Sequence, residues 1–290
     1  MRKFKICVCF SGTLRFIDYT LNHFDEIFNV DDKNLFLQKF SKYGFDDIEV
    51  DYFFYASNRN DMHEANKIWM NKNKINFTEK VNLRLINILK KNKRTRKIFI
   101  ENDFEFLINI IRSLGLSENF EIYSSISQGP VPVSDSNFRN LHQFYAAEKC
   151  NDLKKFYEKT KNFTYDLVVR CRTDVLFASM CDQEKVSWLE SFYLNSHKFF
   201  THGVPHEREG ELCFFDPFFY SSSGVADVYF CNMTDFIIRN AKQVFKPRLA
   251  AHAEKIWGLF IKKNNIEAEE GEVACKILRA YDPEFKDFIK

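Results

Sequence analysis

No cysteine pair with the C-x-x-C spacing occurs in this chain, and its eight cysteines (Cys7, Cys9, Cys150, Cys171, Cys181, Cys213, Cys231 and Cys275) are scattered, most within apolar runs. That excludes the usual zinc spacings and a disulfide framework, and reads as reduced, buried thiols. Neither G-x-G-x-x-G nor G-x-x-x-x-G-K-[ST] is present, which argues against a Rossmann dinucleotide enzyme and a P-loop kinase. No sign of charge dominates: 42 Lys+Arg stand against 40 Asp+Glu, a formal +2, so a polyanion is not the expected main partner. No apolar run is long enough to span a membrane. The run in the opening MRKFKICVCFSG is about half a signal-peptide core. A cytoplasmic protein is therefore expected, and the three Asn-x-Thr sequons at Asn76, Asn162 and Asn232 count as coincidence. Internal repeats, low-complexity linkers and a clean domain boundary are also missing.

What is present is apolar and aromatic. The 290 residues are 45% hydrophobic and 17% aromatic, with 33 Phe, enough for one large α/β domain, or two lobes sharing a cleft, around a core of interlocking rings. Ile6–Phe10 reads as a strand ending in Ser11-Gly12-Thr13, after which Leu14, Ile17 and Leu21 fall at helical spacing. Ile48–Ala56 is a second strand followed by a polar loop. Residues 62 to 118 show helical periodicity and contain the basic run Lys90 to Lys97, read as a solvated helix face. Phe120–Ile126 is a third strand. Phe138–Thr160 is an amphipathic helix interrupted near Asn151-Asp152. Helices are expected near Glu184–Phe192, Ala226–Lys242 and Leu249–Lys263, with a loop from His202 to Gly210 and an aromatic run Leu212–Tyr220. The alternation of strands and helices predicts an α/β fold with a mainly parallel central sheet.

The most informative segment is YDLVVRCRTDVLF, Tyr165–Phe177. Leu167, Val168 and Val169 form the short apolar run of a strand covered on both faces, and Arg170, Arg172 and Asp174 alternate at its end. On an extended strand that alternation places all three on one side. Beyond the carboxyl ends of parallel strands lies the crevice where ligands bind. Two guanidinium groups and a carboxylate there fit a phosphorylated ligand with a metal; an Arg–Asp ion pair closing the strand is the alternative. At the N-terminal turn, Ser11, Gly12, Thr13 and Arg15 combine a flexible corner, hydroxyls and a cation suited to phosphate, although an ordinary strand–helix corner has the same composition. Asp174 suits a hard divalent cation, because a metal bridging a diphosphate needs few protein carboxylates. His202 and His206 have zinc-pair spacing, but Gly203 and Pro205 forbid the helix that would converge them. His252 and Glu254 are candidates for a late metal ligand and a base, and only one of them can face a cleft. Asp216, among aromatics, suits proton abstraction, or else initiates a turn before Pro217.

The opening CFSGTLRF resembles the C-x-S-G-x-x-R start of WavE-like nucleotide-sugar glycosyltransferases. Tyr165, Asp166, Val168, Arg170, Arg172 and Asp174 resemble their Y-D-x-V-x-R-x-R-x-D strand. The Phe-, Lys- and Asn-rich composition is similar to that of the cytoplasmic glycosyltransferases of large algal viruses that build capsid glycans, among them a xylosyltransferase. The resemblance implies a GT-A-type fold in one continuous domain, with residues 1–178 as the nucleotide-sugar-binding lobe and 179–290 as the acceptor-binding lobe. It implies a UDP- or GDP-sugar donor, UDP-xylose included, a carbohydrate acceptor, and a divalent cation, Mn²⁺ or Mg²⁺, held through Asp174. Arg172-Thr173-Asp174 stands where many relatives of that fold have Asp-x-Asp. On this reading Ser11, Gly12, Thr13, Arg15, Arg170 and Arg172 hold the donor, Asp174 and His252 the metal, and Asp216 or Glu254 deprotonates the acceptor. Two rival readings remain: a nucleotide-sugar hydrolase or nucleotidyltransferase sharing the diphosphate site, and a non-catalytic module binding glycan through residues 214–220 or nucleic acid through residues 90–97.

Overall fold

The computed structural model describes residues 1–12, 17–57, 83–101, 121–123, 130–208, 211–240 and 253–277. The chain opens with β1 (Arg2–Gly12), then α1 (Ile17–Ile27), α2 (Lys33–Phe40) and β2 (Phe45–Ser57). Next come α3 (Leu83–Lys91), β3 (Thr95–Glu101), the short strands β4 (Glu121–Tyr123) and β5 (Pro130–Pro132), and the long helix α4 (Val133–Lys161). The second half runs through β6 (Leu167–Cys171), β7 (Val175–Phe177), α5 (Asp182–Leu194), β8 (Phe199–Arg208), β9 (Glu211–Ser221), α6 (Ser223–Phe230), α7 (Met233–Arg239), α8 (Ala253–Lys263), β10 (Ala268–Gly271) and β11 (Cys275–Ile277).

Seven of these strands form one sheet in the order β10-β8-β9-β6-β1-β2-β3. β1 is parallel to both β2 and β6, β2 to β3, and β8 to β10; β9 alone runs against its neighbours β6 and β8. The strand pairing crosses residue 178 without interruption, since β6 pairs with β9. β7 and β11 form a separate antiparallel pair, as do β4 and β5.

Period-two alternation explains the two cores. Ile6, Val8 and Phe10 of β1 point to one face, where α1, α2, α3 and α5 supply Phe24, Phe36, Phe40, Leu89 and Trp188. Cys7 and Cys9 point to the other, under α4, α6, α7 and α8, with Phe144, Tyr229 and Trp257. Both faces of the central strands are thus covered, which is why they read as continuous apolar runs. The rings interlock: Phe10 stacks on Phe54 at 4.7 Å, and Tyr229 stacks on Trp257 at 4.6 Å.

Several elements differ from the sequence expectation. α4 is continuous over 29 residues through Asn151-Asp152. Asn151 does not break it because its amide donates across to Asp227 on α6 at 3.0 Å. Beside it the fully buried Lys154 donates to Ser223 at 2.5 Å and Asp227 at 2.8 Å and pairs with Glu158 at 3.1 Å, so the polar stripe of α4 is a helix-to-helix tie. The third strand of the sheet is Thr95–Glu101, inside the segment expected to be helical, whereas Glu121–Tyr123, among the described residues, pairs only with β5. The basic run divides between the end of α3 and the start of β3. Arg96 donates to the buried Asp51 at 2.5 Å and Arg94 to Asp25 at 3.2 Å, so these two cations are internal ties rather than a solvated face. Burial pushes the Asp51 carboxyl up despite the bonds from Tyr165 and Arg96. The expected loop at His202–Gly210 is largely β8, which pairs with β9 through a register irregularity at His202–His206, where Gly203 has φ +77. The helix expected over Ala226–Lys242 is two helices, broken where Asn232 takes a left-handed φ of 59.

Candidate functional site

The strand order reverses at the β1–β6 boundary. β1 leads outward through β2 to β3 on one side, while β6, β9, β8 and β10 extend on the other. Such a switch point opens a crevice beyond the carboxyl ends of the strands, and it is the general ligand-binding position of open α/β sheets. The residues at these ends on β1 and β6 are Ser11, Gly12 and Arg170.

β1 ends at Gly12 with φ +116, a conformation a side chain resists, and α1 begins at Ile17. The strand and the helix of the sequence reading are therefore present, and the residues that join them lie outside the described ones. Arg170 lies opposite Cys9 in the β1–β6 register, on the face shared with Ser11. Only 1% exposed, it donates from Nε to Ser11 Oγ at 3.3 Å, and its guanidinium lies 5.7 Å from the centre of the Phe219 ring on β9. Phe219 rests in turn against Trp257 of α8, with centroids 5.1 Å apart. A buried cation is costly unless held by polar groups and ring faces, and these contacts fix it at the switch point.

β6 stops at Cys171, and a turn at Thr173–Asp174 separates it from β7. The strand alternation that grouped Arg170, Arg172 and Asp174 therefore does not extend past Cys171, and what orders the last two residues is their mutual contact. Arg172 donates from Nε to Asp174 Oδ1 at 2.9 Å and from its terminal nitrogen to Oδ2 at 2.8 Å, a bidentate fork. The Asp174 side chain is 4% exposed and that of Arg172 is 22% exposed. The turn is tied to α1, because Thr20 donates its hydroxyl to the Thr173 carbonyl at 2.7 Å. His23 Nε2 accepts from the Phe177 backbone N–H at 2.9 Å, fixing β7 on the same helix. The turn carrying Asp174 and the helix that follows the Gly12 corner are thus neighbours.

A divalent cation fits this donor set poorly. Both oxygens of Asp174 accept from Arg172, so a metal would have to displace a guanidinium from a nearly closed position. Among the described residues no group of three His, Cys, Asp or Glu side chains is arranged to hold a metal.

Thr13, Arg15 and His252 lie outside the described residues. Asp216 falls within β9 rather than at a helix cap or turn start, and its side chain is likewise outside them. Glu254 is half-buried in the first turn of α8, three residues before Trp257, on the layer that covers Arg170. A cleft of about 570 Å³ lined by Asp25, Asn29, Asn92, Arg94 and Lys185 opens near the start of β3, at the opposite end of that strand from the crevice.

Sequence reasoning missed Tyr55, Glu101 and Tyr145. Tyr55 stands opposite Ser11 in the β1–β2 register, and Glu101 closes β3. Glu101 Oε2 accepts from the Tyr55 hydroxyl at 2.7 Å and from the Tyr145 hydroxyl of α4 at 3.2 Å. The short β-branched and aromatic run Ile98-Phe99-Ile100 was the available signal for this strand, and hence for a carboxylate at its end.

No protein-family model matches the chain, and no curated protein matches it. Among the described residues no helix is long and apolar enough to cross a membrane.

Proposed function

We propose that this chain is a glycosyltransferase of GT-A type that moves a sugar from a nucleoside diphosphate donor, UDP-xylose among the first to try, to a hydroxyl of a glycan acceptor. The observation that carries the reading is the buried Arg170 at the β1–β6 switch point, bonded to Ser11 beside a positive-φ glycine. The strand order agrees with it: β3-β2-β1 is the 3-2-1 half of a doubly wound sheet, and β6 takes the place of the fourth strand across the switch point. The single antiparallel strand β9 lays Phe219 against Arg170.

In this reading the Gly12 corner admits the diphosphate close to the backbone, and Arg170 and Arg172 stabilise the charge that grows on it as the glycosidic bond breaks. Fixed cations aimed at developing charge in a partly dry site are the largest contribution such a protein makes. Asp174 aims Arg172. A divalent metal would supply further Lewis-acid stabilisation of the diphosphate, but among the described residues the Arg172–Asp174 fork leaves it no ready ligand, so no step is routed through one. Asp216 or Glu254 serves as acceptor base if the reaction inverts the anomeric centre.

The test is a thermal-shift and calorimetric screen against UDP, GDP and their sugars, followed by product analysis with glycan acceptors. Binding of a nucleoside diphosphate and acceptor-dependent sugar transfer are expected. Turnover that yields free sugar with or without acceptor would make the chain a hydrolase, and no nucleotide binding at all would overturn the reading.

A further inference from the structure

We propose that Glu101 is a hydroxyl-binding residue of this crevice that holds the ribose diol of the bound nucleotide; the inference rests on the donor-site reading above. Glu101 lies at the carboxyl end of β3, two strands from Ser11. The register runs Ser11 to Tyr55 across β1–β2, and Tyr55 to Phe99 across β2–β3. At ~4.8 Å per strand the sideways separation is about 9.6 Å, the reach of a pentose carrying a phosphate. Glu101 also faces the correct way. Its Oε2 is held by Tyr55, which belongs to the same core face as Cys9, and by Tyr145 of α4, which covers that face.

Two phenols from different elements converge on one oxygen, which fixes the carboxylate without neutralising it. Among the described residues no cation pairs with Glu101, and Oε1 has no hydrogen-bond partner. The crevice is therefore electrostatically divided, with guanidinium groups at β1–β6 and a fixed acceptor at β3. An anionic ligand end is repelled from Glu101, a lone carboxylate makes a poor metal site, and a pair of neutral O–H donors suits an acceptor-only group. A ligand with a phosphorylated end and a vicinal diol fits that division. Phe99 adds a second indication. It is 46% exposed and stacks on Tyr55 at 5.9 Å with 21° between the rings, leaving an aromatic face for a base beside the carboxylate.

The experiment is a double cycle of residue against ligand hydroxyls. UDP and its 2′,3′-dideoxy analogue are titrated into the wild-type chain and into Glu101→Ala, with Glu101→Gln as a second variant that preserves shape and keeps one acceptor oxygen. Unfolding midpoints without ligand check folding. The wild type should bind UDP about tenfold to a hundredfold more tightly than the dideoxy form, the range of hydrogen bonds to a charged group. Glu101→Ala should bind both forms equally, at the wild-type affinity for the dideoxy form, and Glu101→Gln should fall between. If UDP binds and either folded variant keeps full discrimination, Glu101 does not hold the diol while the donor-site reading survives. If the wild type binds neither form, the donor-site reading falls and takes this inference with it.

Discussion

Asp174→Asn separates an arginine-positioning carboxylate from a metal ligand. In the native fork Asp174 accepts two bonds from Arg172, at 2.9 and 2.8 Å, from a position nearly closed to water. Asparagine keeps one acceptor oxygen but turns an NH₂ group toward a guanidinium N–H, so one bond is replaced by a donor–donor contact and Arg172 is released. Ordering a free arginine side chain again on binding costs about 1.5–2 kcal/mol of rotamer entropy, and at 1.4 kcal/mol per tenfold that weakens diphosphate affinity about 10- to 30-fold. The assay is isothermal titration of UDP into wild type and variant, each with EDTA and with Mn²⁺. The positioning role predicts that wild-type affinity is the same within about twofold in both media and that the variant's loss is also the same in both. The reasoning is refuted if EDTA removes wild-type binding, Mn²⁺ restores it, and the variant no longer responds to Mn²⁺.

Three further outcomes are expected. Gly271→Ala places a Cβ 2.7 Å from the ring of Tyr220, which is buried and stacked on Phe200 at 4.9 Å, so it cannot swing aside; overpacking should cost about 1–3 kcal/mol in urea unfolding, and an unchanged midpoint would contradict the packing described. Lys154→Met strands Glu158 and Asp227 and should cost about 3 kcal/mol, the low end for a broken buried pair because Asp227 keeps partial solvent contact. Burial opposes the Lys154 ammonium, but Asp227 and Glu158 outweigh it and hold its pKa above the ordinary lysine value. The stabilisation is therefore complete below about pH 10.4 and lost as the pH rises through the folded-state value, so wild type and variant should converge in strongly alkaline unfolding measurements and differ constantly near neutrality. Native thiol labelling should react first at Cys181, the exposed cysteine, while Cys275, whose thiol burial pushes up to about 12, lags by orders of magnitude at pH 8; equal rates at the two would contradict the desolvation of the Cys275 thiol.

What the sequence made legible was local. The valines of β6 and the Ser11-Gly12 corner announce themselves because strand burial and turn chemistry are written within a few residues, and their meeting at Arg170 and Ser11 follows once the sheet is assembled. β3 was hidden by its charges: Arg94 and Arg96 look like solvent-facing cations until Asp25 and Asp51, 69 and 45 residues earlier, are folded against them. Asn151 looked like a helix breaker for the same reason, since the Asp227 that satisfies it is 76 residues away. Asp174 is the instructive case. A carboxylate two residues after an arginine has the same composition whether it binds a cation or aims the guanidinium, and the bidentate contact becomes visible only once the turn after Cys171 is folded. Glu101 could be placed at a strand end but not assigned a setting, because the two phenols that hold it are 46 and 44 residues away on different elements. Arg170 and Glu101 are held in place by such long-range bonds, and that is why the strand ends could be found by pattern while the settings of these side chains could not.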